Sequence, residues 1–555
     1  MKQMRTLQGR RLAASVLVAI GCATMWQLMG CSDRPTPQNT GHYGESAGSG
    51  TSGTGGNSNA ECDADPTTSA EAVIDDCGVF VSASAEAGGD GTKDRPFKSF
   101  AEVAANLSTK RRVYACAEAY EESSGIAFSD GVEIYGGFTG CDGGWRWSDE
   151  KATLTVTVEE PQPEARSTIA LTLNGGENRL RSFNVVANGP LAQGNSSIAL
   201  LVNGGKAEII NAELAAGDAG DGDPGIPPLD DPTMLNGIEG SKGEAACDGG
   251  LHLGKDVPSK QCTTGGSSTG GRGGAGGTAT ASGGNVTYGP GGTGGSGMPE
   301  SPRGGAGGVG QTSQSASGAC APGSTGAPGD EGGPGERPGG RGKLDAAGYT
   351  GVDGANGKPG TPGQGGGGGG GAMGGEGICG SSGTAVSLIG ASGGSGGSGG
   401  CGGSGGVGGQ AGGSSIAIVI LDAEVDLDSV TLTAGDAGHG GQGSNGQGGG
   451  EGGAAGGSGS GRGSADPSCA GGVGGLGGRG GPGGGGYGGH SLGIAFKGTA
   501  PVGEGITFVV GTEGQGGPGG TDPPADDVAG DNGLSEACWN FDTNSDMGCP
   551  DAAQQ

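Results

Sequence analysis

Residues 167–188, STIALTLNGGENRLRSFNVVAN, belong to a unit that recurs along the chain and decides its fold. At an offset of 29 the segment aligns without gaps on residues 196–217, SSIALLVNGGKAEIINAELAAG. A further offset of 218 gives residues 414–435, SSIAIVILDAEVDLDSVTLTAG, and an additional offset of 78 places Ile416 on Ile494. Four copies of one pattern indicate a repeat architecture.

Apolar residues alternate with polar ones inside each copy, as Ile169, Leu171 and Leu173 do in the first and Phe183 and Val185 do after a polar turn. A period of two predicts β-strands with one buried face, so each copy should form two short strands and a corner. Such a unit cannot bury its inner face alone, which predicts stacking of the copies rather than unrelated hairpins. The residues expected to share one inner column are Ile169, Ile198, Ile416 and Ile494.

Long glycine-rich segments separate the copies and leave each copy at the same point, so they should issue from one corner and lie side by side. Residues 393–409, GGSGGSGGCGGSGGVGG, repeat every three residues, which is the period of an extended polyglycine or polyproline-type helix. Several such helices can hydrogen-bond through faces that lack a Cβ, which predicts a partly ordered bundle. A flexible linker and collagen-like trimers from residues 323–335 and 351–366 are the alternatives.

The N-terminus has the charge-then-apolar order of a secretory signal, with basic residues from Lys2 to Arg11 before an apolar stretch. That stretch ends in Leu28-Met29-Gly30-Cys31, which resembles the lipobox of bacterial lipoproteins. The resemblance implies that Cys31 is acylated, that the chain is anchored to the membrane by this lipid, and that its destination is the outer membrane of the cell envelope. Cys22 is a weaker candidate for the same modification, and an ordinary cleaved signal or an uncleaved membrane helix is the alternative.

Upstream of the repeats, a strand-like GVFV begins at Gly78 and is followed by GGDGTKDRPFKSF from Gly88, a short amphipathic helix, VYAC and GVEIYGGF. This order resembles the N-terminal cap of right-handed parallel β-helix proteins of the pectin-lyase-like kind. The glycine tracts resemble those of myxobacterial lipoproteins described as PGRS-like. The resemblance implies an all-β fold, a right-handed parallel β-helix (solenoid) interrupted by long glycine-rich insertions, and it implies no particular reaction.

These patterns divide the chain into consecutive segments. They are a lipoprotein signal peptide (1–30), a disordered spacer (31–60), a β-helix cap with first rungs (61–216), a glycine-rich insertion (217–413), a β-helix rung (414–434), a second glycine-rich insertion (435–490), another rung (491–512), and a Gly/Pro-rich, Cys-containing tail (513–555).

Composition excludes several classes of protein. The net charge is -30 and becomes -34 once residues 1–30, with four basic and no acidic side chains, are removed. Binding to a phosphate backbone needs clustered Lys and Arg, so no nucleic-acid partner is expected. With 144 glycines and 31% hydrophobic residues, much of the chain cannot build an ordinary large core.

Twelve cysteines follow Cys31, an even number in a compartment that permits disulfides. Proximity in sequence favours local bridges and leaves Cys320, Cys379, Cys401 and Cys469 to pair among themselves, although spacing alone does not fix the connectivity. No Cys/His spacing typical of a metal site is present. The candidate local bridges are Cys62–Cys77, Cys116–Cys141, Cys247–Cys262 and Cys538–Cys549.

No catalytic, cofactor-binding or metal-binding residue is expected. Gly438-His439-Gly440 beside Asp436 is similar to an element of polygalacturonases, but no second carboxylate accompanies it, as glycoside hydrolysis requires. Asp218 and Asp436 occupy equivalent corners, where turn formation is expected and a Ca²⁺ role is the alternative. The remaining histidines are isolated in loops: His42, His252 and His490.

The sequence therefore predicts a lipid-anchored, non-catalytic cell-surface protein, structural or adhesive, that displays glycine-rich arms to a matrix polysaccharide or a surface protein. The first alternative is a polysaccharide-binding or polysaccharide-degrading β-helix protein, a lyase or hydrolase, which would need carboxylates on adjacent rungs or a basic residue on the solvent face. The second is an ice- or glycan-binding module of polyglycine helices.

Overall fold

The computed structural model describes residues 62–158, 166–188, 192–228, 232–247, 250–282, 285–299, 304–337, 339–378, 384–522 and 527–550. The signal peptide, Cys22, Cys31, the spacer, His42 and Cys379 lie outside these residues. Among the described residues, none of the helices has the length and apolar character needed to cross a bilayer.

Most regular structure in the described chain is β-strand. The first thirteen strands are β1 (Gly78–Val81), β2 (Arg112–Cys116), β3 (Ala119–Glu122), β4 (Ile126–Ser129), β5 (Glu133–Thr139), β6 (Arg146–Trp147), β7 (Ala152–Thr157), β8 (Ser167–Asn174), β9 (Glu177–Arg181), β10 (Phe183–Asn188), β11 (Ser196–Asn203), β12 (Lys206–Ile210) and β13 (Glu213–Ala216). The later strands are β14 (Ser259–Gln261), β15 (Ser267–Thr269), β16 (Ala279–Ser282), β17 (Asn285–Tyr288), β18 (Lys343–Asp345), β19 (Gly348–Thr350), β20 (Gly375–Ile378), β21 (Ala385–Leu388), β22 (Ser415–Leu421), β23 (Glu424–Asp428), β24 (Thr431–Ala434), β25 (Ser491–Lys497), β26 (Val502–Glu504), β27 (Thr507–Val510) and β28 (Ser535–Asn540).

Helices are short. Helix α1 (Phe100–Asn106) begins at Ser99, whose hydroxyl accepts the Glu102 N–H at 3.2 Å as an N-cap, and it buries Phe100 and Val103 against the strands. The other helical segments are α2 (Pro232–Leu235) and two 3₁₀ turns, Ala70–Ala72 and Ala316–Gly318.

Three sheets of parallel strands organise the chain, with β6 on β5 as an antiparallel addition. Sheet 1 has the order β1-β2-β5-β9-β12-β23-β26, sheet 2 the order β27-β24-β13-β10-β7-β3, and sheet 3 the order β28-β25-β22-β11-β8-β4. The chain visits the sheets in constant rotation, for example β9 in sheet 1, β10 in sheet 2 and β11 in sheet 3. The all-β class expected from the alternating pattern is therefore confirmed.

The register of sheet 3 agrees with two of the three sequence offsets. Ile198 pairs with Ile169 on one side and with Ile416 on the other. Ile416, however, pairs with Leu492, while Ile494 pairs with Ile418, so the last offset is 76 and not the expected 78. The prediction was wrong by two residues because a period-two pattern keeps the same apolar parity after a two-residue slip.

Each copy contains three strands, which corrects the prediction of two strands and a corner. The expected corners form strands β9, β12, β23 and β26 of sheet 1. In β9, the sequence ENRLR buries Asn178 and Leu180 and leaves the charged residues outside. The many charges on the outer face made this strand resemble a turn.

Two apolar clusters lie on opposite faces of sheet 3. Ala199 and Leu200 both belong to the inner core enclosed by the three sheets, whereas Ile198 and Leu201 belong to an outer cluster covered by the β18–β19 hairpin. Two consecutive inward residues interrupt the alternation. The column of Ile169, Ile198 and Ile416 consequently packs outside sheet 3, and only Ile494 of the four residues expected on the inner wall lies in the core.

The tail adds one further strand to sheet 3 that the apolar pattern did not predict. Strand β28 pairs with β25 and places Cys538 beside Ile494. Strand β28 has Glu536, Cys538 and Asn540 opposite Leu492, Ile494 and Phe496 of β25, which conceals the apolar pattern.

Disulfides cross-link both the strand-forming parts of the chain and the glycine-rich segments. The structure contains Cys62–Cys77, Cys116–Cys141 and Cys538–Cys549, the three short bridges favoured by spacing. Cys262 bonds with Cys401 rather than with Cys247, which corrects both the fourth bridge and the expected grouping of the remaining cysteines. Cys320 pairs with Cys469, and Cys247 is itself disulfide-bonded. The long segments fold back on one another, so cysteines far apart in sequence meet.

Candidate functional site

The glycine-rich segments begin beside one another at the junction of sheets 2 and 3. The Gly435 N–H donates to the Ala216 carbonyl and the Gly511 N–H to the Ala434 carbonyl, each at 2.9 Å. These bonds continue the ladder of sheet 2 into the first residue of each insertion. The insertions therefore leave from one corner.

A column of buried hydroxyl and imidazole groups joins the returning ends at the same corner. The Ser414 N–H donates to Ser196 Oγ at 2.9 Å, the His490 N–H to Ser414 Oγ at 2.8 Å, and the Leu534 N–H to His490 Nδ1 at 2.9 Å. Each side chain accepts the amide of the next copy, so the column fixes where the glycine-rich segments re-enter sheet 3.

Replacing Ser414 by alanine should lower the free energy of unfolding by about 2 kcal/mol, because a buried His490 N–H loses its acceptor. Urea denaturation measures this change, with Ser460→Ala, at an exposed serine, as the control expected to change stability by less than about 0.5 kcal/mol. Equal stabilities of the two variants would show that the column contributes nothing.

His490 should make the protein sensitive to acid. The ring is buried, donates from Nε2 to the Arg341 carbonyl at 2.9 Å and packs against Tyr349, and burial lowers the pKa of His490 to about 4. Because the pKa lies below the ordinary value of 6.5, the stabilising contribution of the neutral His490 ring is fully present above pH 6.5. This contribution is lost as the pH falls toward 4. The loss should reach about 3 kcal/mol.

The measurement is the pH dependence of urea unfolding in the wild type and in His490→Asn, which keeps an acceptor for the Leu534 N–H but cannot titrate. The stability difference between the two proteins should shrink by this amount between pH 7 and 4. Parallel curves would exclude His490 as the titrating group.

Beyond the corner, the glycine-rich segments form extended arms. We name seven of them: arm 1 (319–337), arm 2 (351–374), arm 3 (390–413), arm 4 (435–461), arm 5 (467–490), arm 6 (511–522) and arm 7 (527–534). Shorter stretches at 217–228, 236–246, 270–278, 289–298 and 304–312 run beside them.

Hydrogen bonds join the arms at every third residue. From arm 3, the N–H groups of Gly397, Gly400 and Gly403 donate to the carbonyls of Gly472, Gly475 and Gly478 in arm 5, at 3.0, 3.0 and 2.9 Å. Two of the three backbone amides in each triplet of arm 5 donate to other arms. One donates to arm 4, as Gly474 does to Gly453, and one donates to arm 2, as Gly475 does to Gln364. A three-residue period with bonds to different neighbours is the pattern of packed polyglycine-type helices.

Glycine is required in these arms because the neighbouring backbones leave no room for a Cβ. No residue of arms 2, 3 and 5 has a positive φ. A Cβ on Gly400 would lie 2.0 Å from the Gly450 carbonyl oxygen, and one on Gly399 would lie 2.0 Å from that of Gly363. The absence of side chains lets the backbones approach closely enough to bond.

The number of glycines in each triplet increases with the number of sides on which that arm packs against its neighbours. In arm 1 the G-x-y triplets put one glycine row against arm 2, with a Cβ on Gly326 at 2.0 Å from the Gln364 oxygen. In arm 3 the G-G-S triplets pack two rows, and the third position carries buried serines such as Ser398, which accepts the Ile238 N–H at 2.8 Å. At residues 365–371 every position is glycine and every added Cβ would meet a backbone atom within 2.3 Å.

The acidic corner residues and the GHG element have structural partners. Asp218 Oδ1 accepts the Asp436 N–H at 2.9 Å, Asp436 Oδ1 accepts the Thr512 N–H at 2.8 Å, and His439 Nδ1 accepts the Gln515 N–H at 2.9 Å. The Thr512 amide, followed by the Thr512 hydroxyl, lowers the pKa of Asp436 by hydrogen bonding to its carboxylate. His252 lies buried with Nδ1 2.9 Å from the Gly390 carbonyl oxygen.

Sheet 1 carries charged side chains on its solvent face, a feature that sequence analysis did not place. Arg179 contacts Glu208 at 2.6 Å and the Tyr135 hydroxyl at 3.4 Å, and Glu208 lies opposite Asp426 in the backbone register of the next strand. The Tyr135 hydrogen bond, followed by that of Glu208, raises the pKa of Arg179. A permanently charged, ion-paired arginine cannot act as a general base.

No group of three or more His, Cys, Asp or Glu side chains that could hold a metal ion occurs among the described residues. Comparison with family models, curated proteins and solved structures gives no match for this chain.

Proposed function

We propose that this chain is a non-catalytic cell-surface lipoprotein that uses a right-handed parallel β-helix to hold a bundle of glycine arms as an adhesive or structural element. The observation that carries the proposal is the period-three hydrogen bonding among arms that share one corner of the sheets. A rigid array projecting from a fixed base suits contact with a matrix polysaccharide or a surface protein.

The β-helix assignment is supported by the constant rotation of the chain through three parallel sheets around one apolar core. The segment before the repeats, which resembles a β-helix cap, supports the same assignment. Lipidation of Cys31 and a position in the outer membrane rest on the signal-like N-terminus, and labelling with a palmitate analogue should mark the wild type and leave Cys31→Ala unlabelled.

The adhesive role is tested on cells that produce the full chain, by measuring their attachment to matrix polysaccharide and to one another. Gly368→Ala, which forces a Cβ to within 1.8 Å of the Arg272 carbonyl oxygen, should abolish attachment, and Gly448→Ala, with no atom within 4 Å of its Cβ, should preserve it. Surface amounts of the variants are matched by antibody staining. Unchanged attachment by Gly368→Ala would contradict the proposal.

Polysaccharide cleavage is the second candidate, favoured by the register pairing of Glu208 with Asp426 on adjacent strands. Purified protein incubated with pectin and alginate should release neither unsaturated ends nor reducing sugar if the first proposal holds. Binding of ice or glycan by the ordered arms is the third candidate, and thermal hysteresis of the protein solution would favour it.

A further inference from the structure

Every third backbone N–H of arm 5 belongs to one row, and the hydrogen-bond partners of this row differ along the arm. At Gly485 and Gly488 the backbone N–H groups donate to the Val528 and Asp531 carbonyls of arm 7, at 2.8 and 2.9 Å. Three residues further along the same row, Ser491 donates to Leu534 at 2.7 Å. Arm 7 therefore occupies a groove whose floor is this row of amides.

Arm 1 forms a wall of this groove. Arg337 of arm 1 forms ion pairs with Asp527 and Asp531 of arm 7, at 3.1 and 2.7 Å. Arm 7 thus lies where arms 5 and 1 are neighbours. The same neighbours continue away from the sheets, because Gly326 and Gly329 of arm 1 donate to the Val473 and Leu476 carbonyls at 2.9 and 2.8 Å.

In that outer part the floor is uncovered. The backbone N–H groups of Ala470, Val473 and Leu476 have no hydrogen-bond partner within the described part of the chain, whereas the other amides of arm 5 nearby bond to arms 4 and 2. The Val473 and Leu476 side chains are 43% and 48% exposed. Pro482 and the Arg479–Asp522 ion pair separate this stretch from the part filled by arm 7.

We infer that the groove over Ala470, Val473 and Leu476 binds a polyproline II-type segment of another protein. Such a segment has three residues per turn and rises about 9 Å per turn, so a carbonyl from every third residue can meet successive amides of the floor. Arm 7 binds the adjoining part of the groove through carbonyls spaced in this way. Apolar side chains of the segment would cover Val473 and Leu476.

The inference deepens the adhesive role, on which it rests, by naming the partner as an extended Pro- or Gly-rich polypeptide. The probe is a fluorescein-labelled peptide of repeating Gly-Pro-Ala, titrated against the full chain by fluorescence anisotropy. A flexible Gly-Ser peptide of equal length serves as the probe control. Saturable binding of the first peptide alone is expected.

Leu476→Pro removes one floor amide while keeping an extended backbone, as Pro482 does naturally in the same row. Binding should weaken about tenfold, the effect of one lost hydrogen bond of roughly 1.4 kcal/mol. Val309→Pro, at a residue 58% exposed in the shorter stretch 304–312, should bind like the wild type. If Leu476→Pro does not fold, Val473→Pro makes the same test in the same row.

Three results would overturn the inference: no saturable binding, equal weakening by the two proline variants, or a wild-type dimer in analytical ultracentrifugation that Leu476→Pro abolishes. The last would assign the groove to a second copy of the chain. Cell attachment that persists without peptide binding would remove this inference and leave the adhesive role in place.

Discussion

Gly368→Ala is expected to lower the free energy of unfolding by about 3 kcal/mol or more, because the added methyl group has no room among neighbouring backbones. The added Cβ would lie 1.8 Å from the Arg272 carbonyl oxygen and 2.3 Å from its carbon. These are backbone atoms in a neighbouring stretch, so no side chain can rotate away. Relief requires that two hydrogen-bonded segments separate.

Gly448→Ala is the matched control, because it adds the same methyl group to another arm in open space. Its stability should stay within about 0.5 kcal/mol of the wild type. Urea denaturation followed by circular dichroism measures both variants. Similar stabilities of the two alanine variants would mean that the arms are not packed as described.

Removal of the Cys262–Cys401 disulfide is expected to have the second large effect. The bridge closes a loop with a sequence separation of 139 and ties the β14–β15 hairpin to buried Cys401 of arm 3. In the chain-entropy model a loop of this length contributes about 5 kcal/mol, against about 3 kcal/mol for a loop as short as that closed by Cys538–Cys549.

The test compares the double variants Cys262→Ser/Cys401→Ser and Cys538→Ser/Cys549→Ser by thermal unfolding and by limited proteolysis. The first should unfold at the lower temperature and be cut within the arms. An equal or larger loss of stability on removing the short bridge would contradict the structural role assigned to Cys401.

The repeat was predictable because its apolar residues must recur wherever strands stack. Its exact register was not, since Ile494 fits the pattern equally well opposite Ile416 or Ile418. Hydroxyl positions contained the missing signal: Ser415 pairs with Ser491, and Ser491 with Ser535. An alignment on the corner serines would have given the offset of 76 and the additional strand β28.

Strands β9, β12 and β23 were missed for a different reason. Their outer faces carry charges such as Arg179, Glu208 and Asp426, and Arg179 forms an ion pair with Glu208 of the adjacent strand. A sequence shows charges without their partners, so these segments resembled polar turns. The ion-paired face of sheet 1 was therefore also absent from the predicted site.

The bundle itself was largely visible in the triplet pattern of residues 393–409. The number of glycines per triplet also indicates how many sides of an arm are packed, which places the uninterrupted glycines at 365–371 in the interior. What the triplets could not show is which arms are neighbours. That depends on long-range pairs such as Cys320–Cys469 and on Arg337, which joins arm 1 to arm 7.

Residue-resolved amide hydrogen exchange along arm 5 distinguishes an ordered bundle of arms from a flexible linker. Two amides of each triplet between residues 470 and 481 bond to arms 4 and 2, so they should exchange slowly, while those of Val473 and Leu476 should exchange rapidly. For an ordered bundle we expect protection from exchange with a period of three residues. Uniformly rapid exchange across arm 5 would show a flexible linker and would contradict the ordered bundle.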